Sequence, residues 1–297
     1  MSTTSSPIDR PLLSAWFWPA MFSLMAFAAN SVLCRLALKD GAVDAITFTA
    51  LRLGSGALCL WWLVRLRNPC SGAAGSWRGG LALFCYAFLF SIAYLDLSAG
   101  VGALLLFGAV QLTMFSVAAV RGERISLRAL SGMLMAFSGL VVLLLPGSHA
   151  PTLTSALLMV AAGMAWGLYT LLGQGSPRPL ADTAGNFVRS VPFLALCTPL
   201  IALGAELRFS TAGVFFAVCS GMLASAAGYA VWYSVVRRIS AQQAATLQLS
   251  VPVIASLGGV WVIGEALSLR AIGACAIVLG GVAIAVTAPR LQAPTQA

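Results

Sequence analysis

The sequence predicts an all-α integral membrane fold of ten transmembrane helices, built as two inverted five-helix repeats. Three observations carry that expectation. Of 297 residues, 60% are hydrophobic and 8% charged, with a mean hydropathy of +0.95, against ~25% charged residues in an ordinary soluble domain. Apolar runs of membrane length recur from one end of the chain to the other, and an octapeptide returns at a constant offset. Seventeen Lys and Arg with eight Asp and Glu are too few to cover a water-facing surface on a chain this long.

The runs fall at 14–34, 44–64, 80–97, 99–120, 129–146, 153–173, 184–204, 212–236, 241–263 and 271–288. Most reach the ~17–25 residues a helix needs to cross ~30 Å of hydrocarbon. Helices are expected because an open strand edge in lipid leaves backbone groups unpaired, and stretches such as 134–145 lack the alternation of a barrel strand. The breaks at 96–102 and 240–243 are slight, but a merged run would be too long for one crossing.

Charge sets the expected orientation. With the N-terminus in the cytoplasm, the internal side holds Arg10, Arg65, Arg67, Arg78, Arg121, Arg124, Arg128, Arg178, Arg237, Arg238 and Arg290, and the external side only Arg35, Lys39, Arg208 and Arg270. That is the positive-inside bias, with both termini cytoplasmic. Arg10, the apolar run after it and Ala26-Phe27-Ala28 imitate a secretory signal, but nine further spans follow and the segment reads as the first of them. The net charge of +9 sits in short loops where anionic headgroups are the nearer partner, so nucleic acid is not expected.

Gly122-Glu123-Arg124-Ile125-Ser126-Leu127-Arg128-Ala129 aligns with Gly264-Glu265-Ala266-Leu267-Ser268-Leu269-Arg270-Ala271 at an offset of 142, with six of eight residues identical. The same offset pairs Ser98 and Ala99 with Ser240 and Ala241, and Gly139 with Gly281. The implied organisation is a tail at 1–13, a first repeat at 14–146, a second at 153–288 and a tail at 289–297, both tails cytoplasmic. Five spans per repeat is an odd number, so the second copy enters the membrane from the opposite side, a recurring plan of carriers that expose a midplane site alternately to each face.

Several residues have a structural and a functional reading side by side. Glu123 and Glu265 stand at span ends before a Ser-Leu-Arg that opens the next helix, where a carboxylate orders a short loop; contact with a solute or ion is the lesser reading. Gly163 with Gly167, and Gly221 with Ser225 and Gly228, make small-residue faces for close helix approach. Pro252 inside the ninth span removes a backbone donor and favours a kink that serves as hinge or ligand site. Polar Asn30, Gln111, Thr113, Asn186, Gln242, Gln243, Thr246 and Gln248 in span interiors favour a passage. Tyr86, Phe90 and Tyr94 recur every fourth residue, Trp166 and Tyr169 share the sixth span, and Tyr229, Trp232 and Tyr233 cluster on the eighth; their faces suit an amphipathic small molecule or core packing equally. Trp16, Trp18, Trp61, Trp62 and Trp77 lie near span ends, as interfacial anchors do.

Arg52 and Arg189 are charges within the second span of each half, with Asp44 and Asp182 nearby as potential partners and an anion contact as the alternative. No carboxylate falls mid-span, and the single histidine, His149, follows Pro146 in a loop, so a proton carrier within the membrane is not apparent. Cys34, Cys59, Cys70, Cys85, Cys197, Cys219 and Cys275 show no CxxC pair and read as small hydrophobes. No Walker-type GxxxxGK[ST] occurs. Neither cofactor nor enzyme chemistry is expected.

Ala244-Ala245, Pro252 and Gly264-Glu265 in the second half, with Ala103 and Gly122-Glu123 in a first half that lacks the proline, resemble the pattern of the ten-helix drug/metabolite transporter superfamily built from two EamA-type domains. The resemblance covers about residues 14–288, and its nearest branch is the aromatic amino-acid exporters. It implies a multi-pass carrier of the bacterial inner membrane that moves amino acids or related small metabolites, in the export direction, by alternating access. Its partners would be a small-molecule substrate and the bilayer, a monomer being compatible. The residues expected to bind substrate are Asn30, Tyr86, Phe90, Tyr94, Gln111, Trp166, Tyr169, Tyr229 and Tyr233, with Gln248 beside them. A channel and a non-transporting membrane scaffold are the other readings; a channel should show one continuous polar pore.

Overall fold

Serine and threonine open many of the helices. Ser76, Ser126, Thr152, Ser210 and Ser268 each accept a hydrogen bond from the backbone N–H three residues on, at 3.0–3.4 Å, satisfying a donor that the first turn leaves open. Ser126 and Ser268 are repeat counterparts, so the octapeptide encodes the same cap twice.

The structure is a computed structural model describing residues 16–67, 74–121, 126–145, 151–174, 176–236, 238 and 247–288. The two tails lie outside the described residues, as do Cys70, Gly122, Glu123, Arg124, Pro146, His149, Arg237, Ser240, Ala241, Gln242, Gln243, Ala244, Ala245 and Thr246. Ten apolar helices are described: α1 (Phe17–Leu38), α2 (Ala45–Arg67), α3 (Trp77–Ala93), α4 (Ala99–Val120), α5 (Leu127–Leu144), α6 (Leu153–Gly173), α7 (Pro179–Ala202), α8 (Thr211–Val235), α9 (Ser250–Ile263) and α10 (Leu269–Val286). Eight are long enough to cross a membrane, and α3 and α9 are shorter. α3 and α4 are separate helices joined over 94–98, so the expected break at 96–102 falls a few residues late and its second part is the first turn of α4.

Irregularities within the spans have local causes. α7 tightens to a 3₁₀ turn over Val191–Cys197, where Pro192 cannot donate to the preceding turn. α8 widens to π geometry over Ser220–Ala227, beside its closest approach to α2: a Cβ on Gly221 would stand 2.4 Å from the Arg52 carbonyl oxygen. Pro252 sits in the first turn of α9, and the helix is interrupted at Leu249, within the turn where its missing N–H leaves the ladder one bond short. α9 ends in π geometry at Gly264, whose φ of +74° requires glycine; this is the role of the glycine in Gly-Glu.

The packing repeats itself between the halves. α3 and α4 of the first half pack on α6 of the second, and α8 and α9 of the second pack on α1 of the first; α2 meets α7, α4 meets α9, and α5 meets α10. The α5–α10 contact is the most extensive. There Gly132 faces the Gly281 carbonyl, Gly281 faces Ala136, and Gly139 faces Val278. Exchanging residues at the 142-residue offset turns the Ala136–Gly281 contact into Val278–Gly139, which is the relation an inverted repeat about a twofold axis demands. Arg128 donates to Thr287 at one end of this pair, and Arg270, its counterpart, donates to the Val142 carbonyl at the other, at 3.3 and 3.0 Å.

Asp44 and Asp182 are also used symmetrically, but not with the arginines. Asp44 caps α2 through Ile46 N and Thr47 N and accepts from Arg208 N in the loop before α8. Asp182 accepts from Gly75 N in the loop before α3, and from Ser176. Arg189 donates to the carbonyls of Ala74 and Gly185. Arg52 lies two turns beyond Asp44, roughly 12 Å along the helix axis, out of reach of a carboxylate held at the cap.

Trp18, Trp61, Trp62 and Trp77 are exposed, at the start of α1, the end of α2 and the start of α3, which share one face of the bundle. Gly163 packs against the Leu106 carbonyl and Gly167 against Thr113, so the small-residue face of α6 serves close approach to α4.

Candidate functional site

A narrow, partly open cavity lies between the halves. It is lined by Phe27, Asn30 and Ser31 of α1, Tyr86 and Phe90 of α3, Leu106 and Phe107 of α4, Trp166 of α6, Ala224 and Tyr229 of α8, and Gln248 just ahead of α9. The aromatic rings form a continuous wall. Trp166 lies 4.8 Å from Tyr86 and 5.2 Å from Tyr229, centroid to centroid, the latter pair stacked at 25°. Phe27 closes on Tyr229 at 5.7 Å, and Phe90 on Tyr86 at 5.4 Å. Rings at these separations offer a broad apolar face to a solute of small-molecule size.

A polar chain runs through this wall. Ser220 Oγ donates to Asn30 Oδ1 at 2.5 Å, and Asn30 Nδ2 donates to the Tyr86 hydroxyl at 3.3 Å. The same hydroxyl accepts from Arg52 Nη2 at 2.9 Å. Arg52 is 1% exposed, and its guanidinium lies 5.0 Å from the ring centres of both Tyr86 and Phe90 and reaches Ser225 Oγ with Nε at 3.4 Å. Sequence placed Arg52 within a span but not behind the cavity wall. An arginine at mid-membrane depth was the available signal; its proximity to Tyr86 depends on how α2 and α3 are rotated.

One face of the cavity is shut. One turn beyond Ser31, Arg35 Nε pairs with Glu265 Oε1 at 3.2 Å, and its Nη1 donates to the carbonyls of Tyr94 and Leu95 at 2.9 and 2.6 Å. Glu265 Oε2 accepts from Ala99 N, the first residue of α4, at 2.8 Å. The Tyr94 hydroxyl donates to the Ala99 carbonyl at 3.1 Å, and its ring stands edge-on to Phe90 at 4.6 Å. Four helices, α1, α3, α4 and α9, are thereby tied across the cavity's end. The glutamate of the second Gly-Glu is a cross-bundle tie.

Of the residues singled out from sequence, Asn30, Tyr86, Phe90, Trp166, Tyr229 and Gln248 are brought together around the cavity. Tyr94 is fully buried in the tie one turn further along α3. Tyr169 stacks on the outer side of Trp166 at 5.3 Å. Its buried hydroxyl stands near Thr183, Asn186 and Tyr233 without completing a hydrogen bond of good geometry. Gln111 is buried on α4 outside the lining set. Tyr233 lies one turn beyond Tyr229, half-buried, and Trp232 packs on Phe27 at 5.7 Å. Thr113 bonds its own helix at Ala109, and Asn186 accepts from Ser76 N. Phe27, Ser31, Leu106, Phe107 and Ala224 complete the lining and carried no sequence signal distinguishing them from other apolar or small residues.

Comparison with known proteins agrees with this architecture. The EamA-like transporter family matches residues 153–287. An uncharacterized protein of Pseudomonas aeruginosa is 54% identical over 272 residues, covering 91% of this chain and 94% of that one. A probable amino-acid metabolite efflux pump of Salmonella typhimurium is 25% identical, covering 70% and 74%. A probable terminal-alkyne amino-acid exporter of Streptantibioticus cattleyicolor is 26% identical, covering 85% and 87%. A solved crystal structure 23% identical in sequence shares the fold with a TM-score of 0.61 over 90% of this chain and 97% of the other.

Proposed function

Since the chain belongs to the EamA-like transporter family, and is a multi-pass membrane transporter, we propose that it exports amino acids or related small metabolites across the bacterial inner membrane by alternating access. The observation that carries the proposal is an aromatic cavity shared by both halves and shut at one end by the Arg35–Glu265 tie. A carrier needs a site closed to one side at a time, whereas a channel needs a continuous polar path. The relatives named as amino-acid exporters support the solute class.

In this reading the repeats at 14–146 and 153–288 rock about a shared site. The termini lie in the cytoplasm, so the shut end is the outer one and the conformation faces inward. The Arg and Lys distribution supports that orientation.

The test is transport of a panel of labelled amino acids by the purified protein in liposomes, with and without a pH gradient. Movement of at least one of them above protein-free liposomes is expected; no movement of any would sink the proposal. Trp166→Ala and Tyr229→Ala each remove a ring from the cavity wall. Each should lower transport about tenfold, the scale of one lost aromatic contact, with membrane insertion retained. Unchanged kinetics in both variants would remove these rings from the site.

A further inference from the structure

We infer that the solute held in this cavity carries a carboxylate, received by the Tyr86 hydroxyl with Arg52 supplying positive charge from behind the wall. The inference rests on the cavity being the transport site and names the group that the site selects.

Tyr86 is set as a donor toward the cavity. Its oxygen already accepts from Asn30 Nδ2 and Arg52 Nη2, and the Ser220 bond to Asn30 Oδ1 keeps the amide nitrogen turned toward it. With its lone pairs engaged, the hydroxyl proton is free for an acceptor, and no hydrogen bond donated by Tyr86 is formed among the described residues. Tyr86 itself lines the cavity. A proton donor polarised by a guanidinium is the arrangement that favours an anionic oxygen.

Among the described residues Arg52 has no counter-ion. Its neighbours among them are two rings, the Tyr86 hydroxyl and Ser225, with the Tyr229 hydroxyl and the Cys34 thiol further off, none of them a carboxylate, and Nη1 has no hydrogen-bond partner there. The described carboxylates all stand at helix ends or in loops, and the ion pairs among them are Glu265 with Arg35 and Glu206 with Arg208. A buried charge without a partner is costly, and in a low-dielectric wall its potential extends into the adjoining cavity. A carboxylate seated at Tyr86 compensates it, while the rings of Phe27, Phe90, Trp166 and Tyr229 take the apolar body. A cationic amine without an acid group meets the wrong sign of potential.

The experiment measures binding to the purified full-length protein by calorimetry, with 3-phenylpropionate, phenylalanine, phenylalaninamide and phenethylamine as probes. The wild type should bind the two carboxylates about tenfold or more tighter than the amide and the amine. Arg52→Gln and Tyr86→Phe should bring that ratio close to one, and Arg52→Lys should keep part of it. An arginine that only braces α2 against α3 would lower thermal stability and leave the ratio unchanged. Should Arg52→Gln not fold, Tyr86→Phe decides, since it keeps the ring and removes only the hydroxyl.

Equal binding of amide and acid by the wild type, binding of none of the four, or a ratio that survives in the variants overturns the inference. Transport assayed on the same preparation separates the two readings: solutes moved without regard to a carboxylate overturn the anchor alone, and no movement of any solute removes the transport reading.

Discussion

Glu265→Ala is expected to open the shut end of the cavity. The substitution removes the carboxylate that pairs with Arg35 and the acceptor that holds Ala99 N, leaving Arg35 with the Tyr94 and Leu95 carbonyls only. A partly buried ion pair together with a charge at a helix N-terminus stabilises the closed arrangement by about 2 kcal/mol, which is roughly thirtyfold in the balance between closed and open populations. The measurement places a cysteine at Ser31, one turn inside the tie, in protein whose seven native cysteines are replaced, and times its reaction with a membrane-impermeant maleimide from the Arg35 side. Labelling should accelerate more than about tenfold in the Glu265→Ala background. Glu265→Gln should fall between, because its amide oxygen still accepts from Ala99 N while the charge is gone. Equal labelling rates in all three backgrounds would show that the tie does not control access.

Gly132→Leu should prevent α5 and α10 from packing. A Cβ at Gly132 would sit 2.5 Å from the Gly281 carbonyl oxygen and 2.5 Å from Ala285 N, and backbone atoms cannot turn aside as a side chain would. Helices in lipid are held together by close van der Waals contact, because the acyl chains are as apolar as the side chains. Separating this pair should cost on the order of 3 kcal/mol or more, seen as loss of folded protein in mild detergent and a large fall in Tm. Gly273→Leu on α10 is the matched comparison. Its Cβ position meets nothing within 4 Å and the residue is exposed, so its Tm should change little. The packing argument fails should the two variants lose stability equally.

Much of the fold was legible because the signals are local. Apolar run length specifies a span without knowledge of its neighbours, and the octapeptide specifies a serine cap and an arginine at each span junction, with a glycine turn at Gly264 in the second. The inverted relation followed from an odd number of spans, and the exchange-symmetric contacts of Gly139 and Gly281 agree with it.

The site was legible only in part. Helical spacing marked Tyr86, Phe90 and Tyr94 as one face, yet Phe90 lines the cavity and Tyr94 plugs its end, a difference of one turn that depends on where α4 begins. Asp44 and Arg52 are near in sequence, and proximity favoured their pairing. The cap of α2 claims Asp44 instead.

Composition, apolar run length and the repeated octapeptide by themselves pointed to an all-helical membrane protein of about ten helices, since lipid rewards apolar length wherever it stands in the chain. Tertiary structure alone decided which side chains meet. The bonds that build the site and its closed end join residues 34, 56, 173 and 230 positions apart. Such pairings depend on the rotation and crossing of helices, which no single helix encodes.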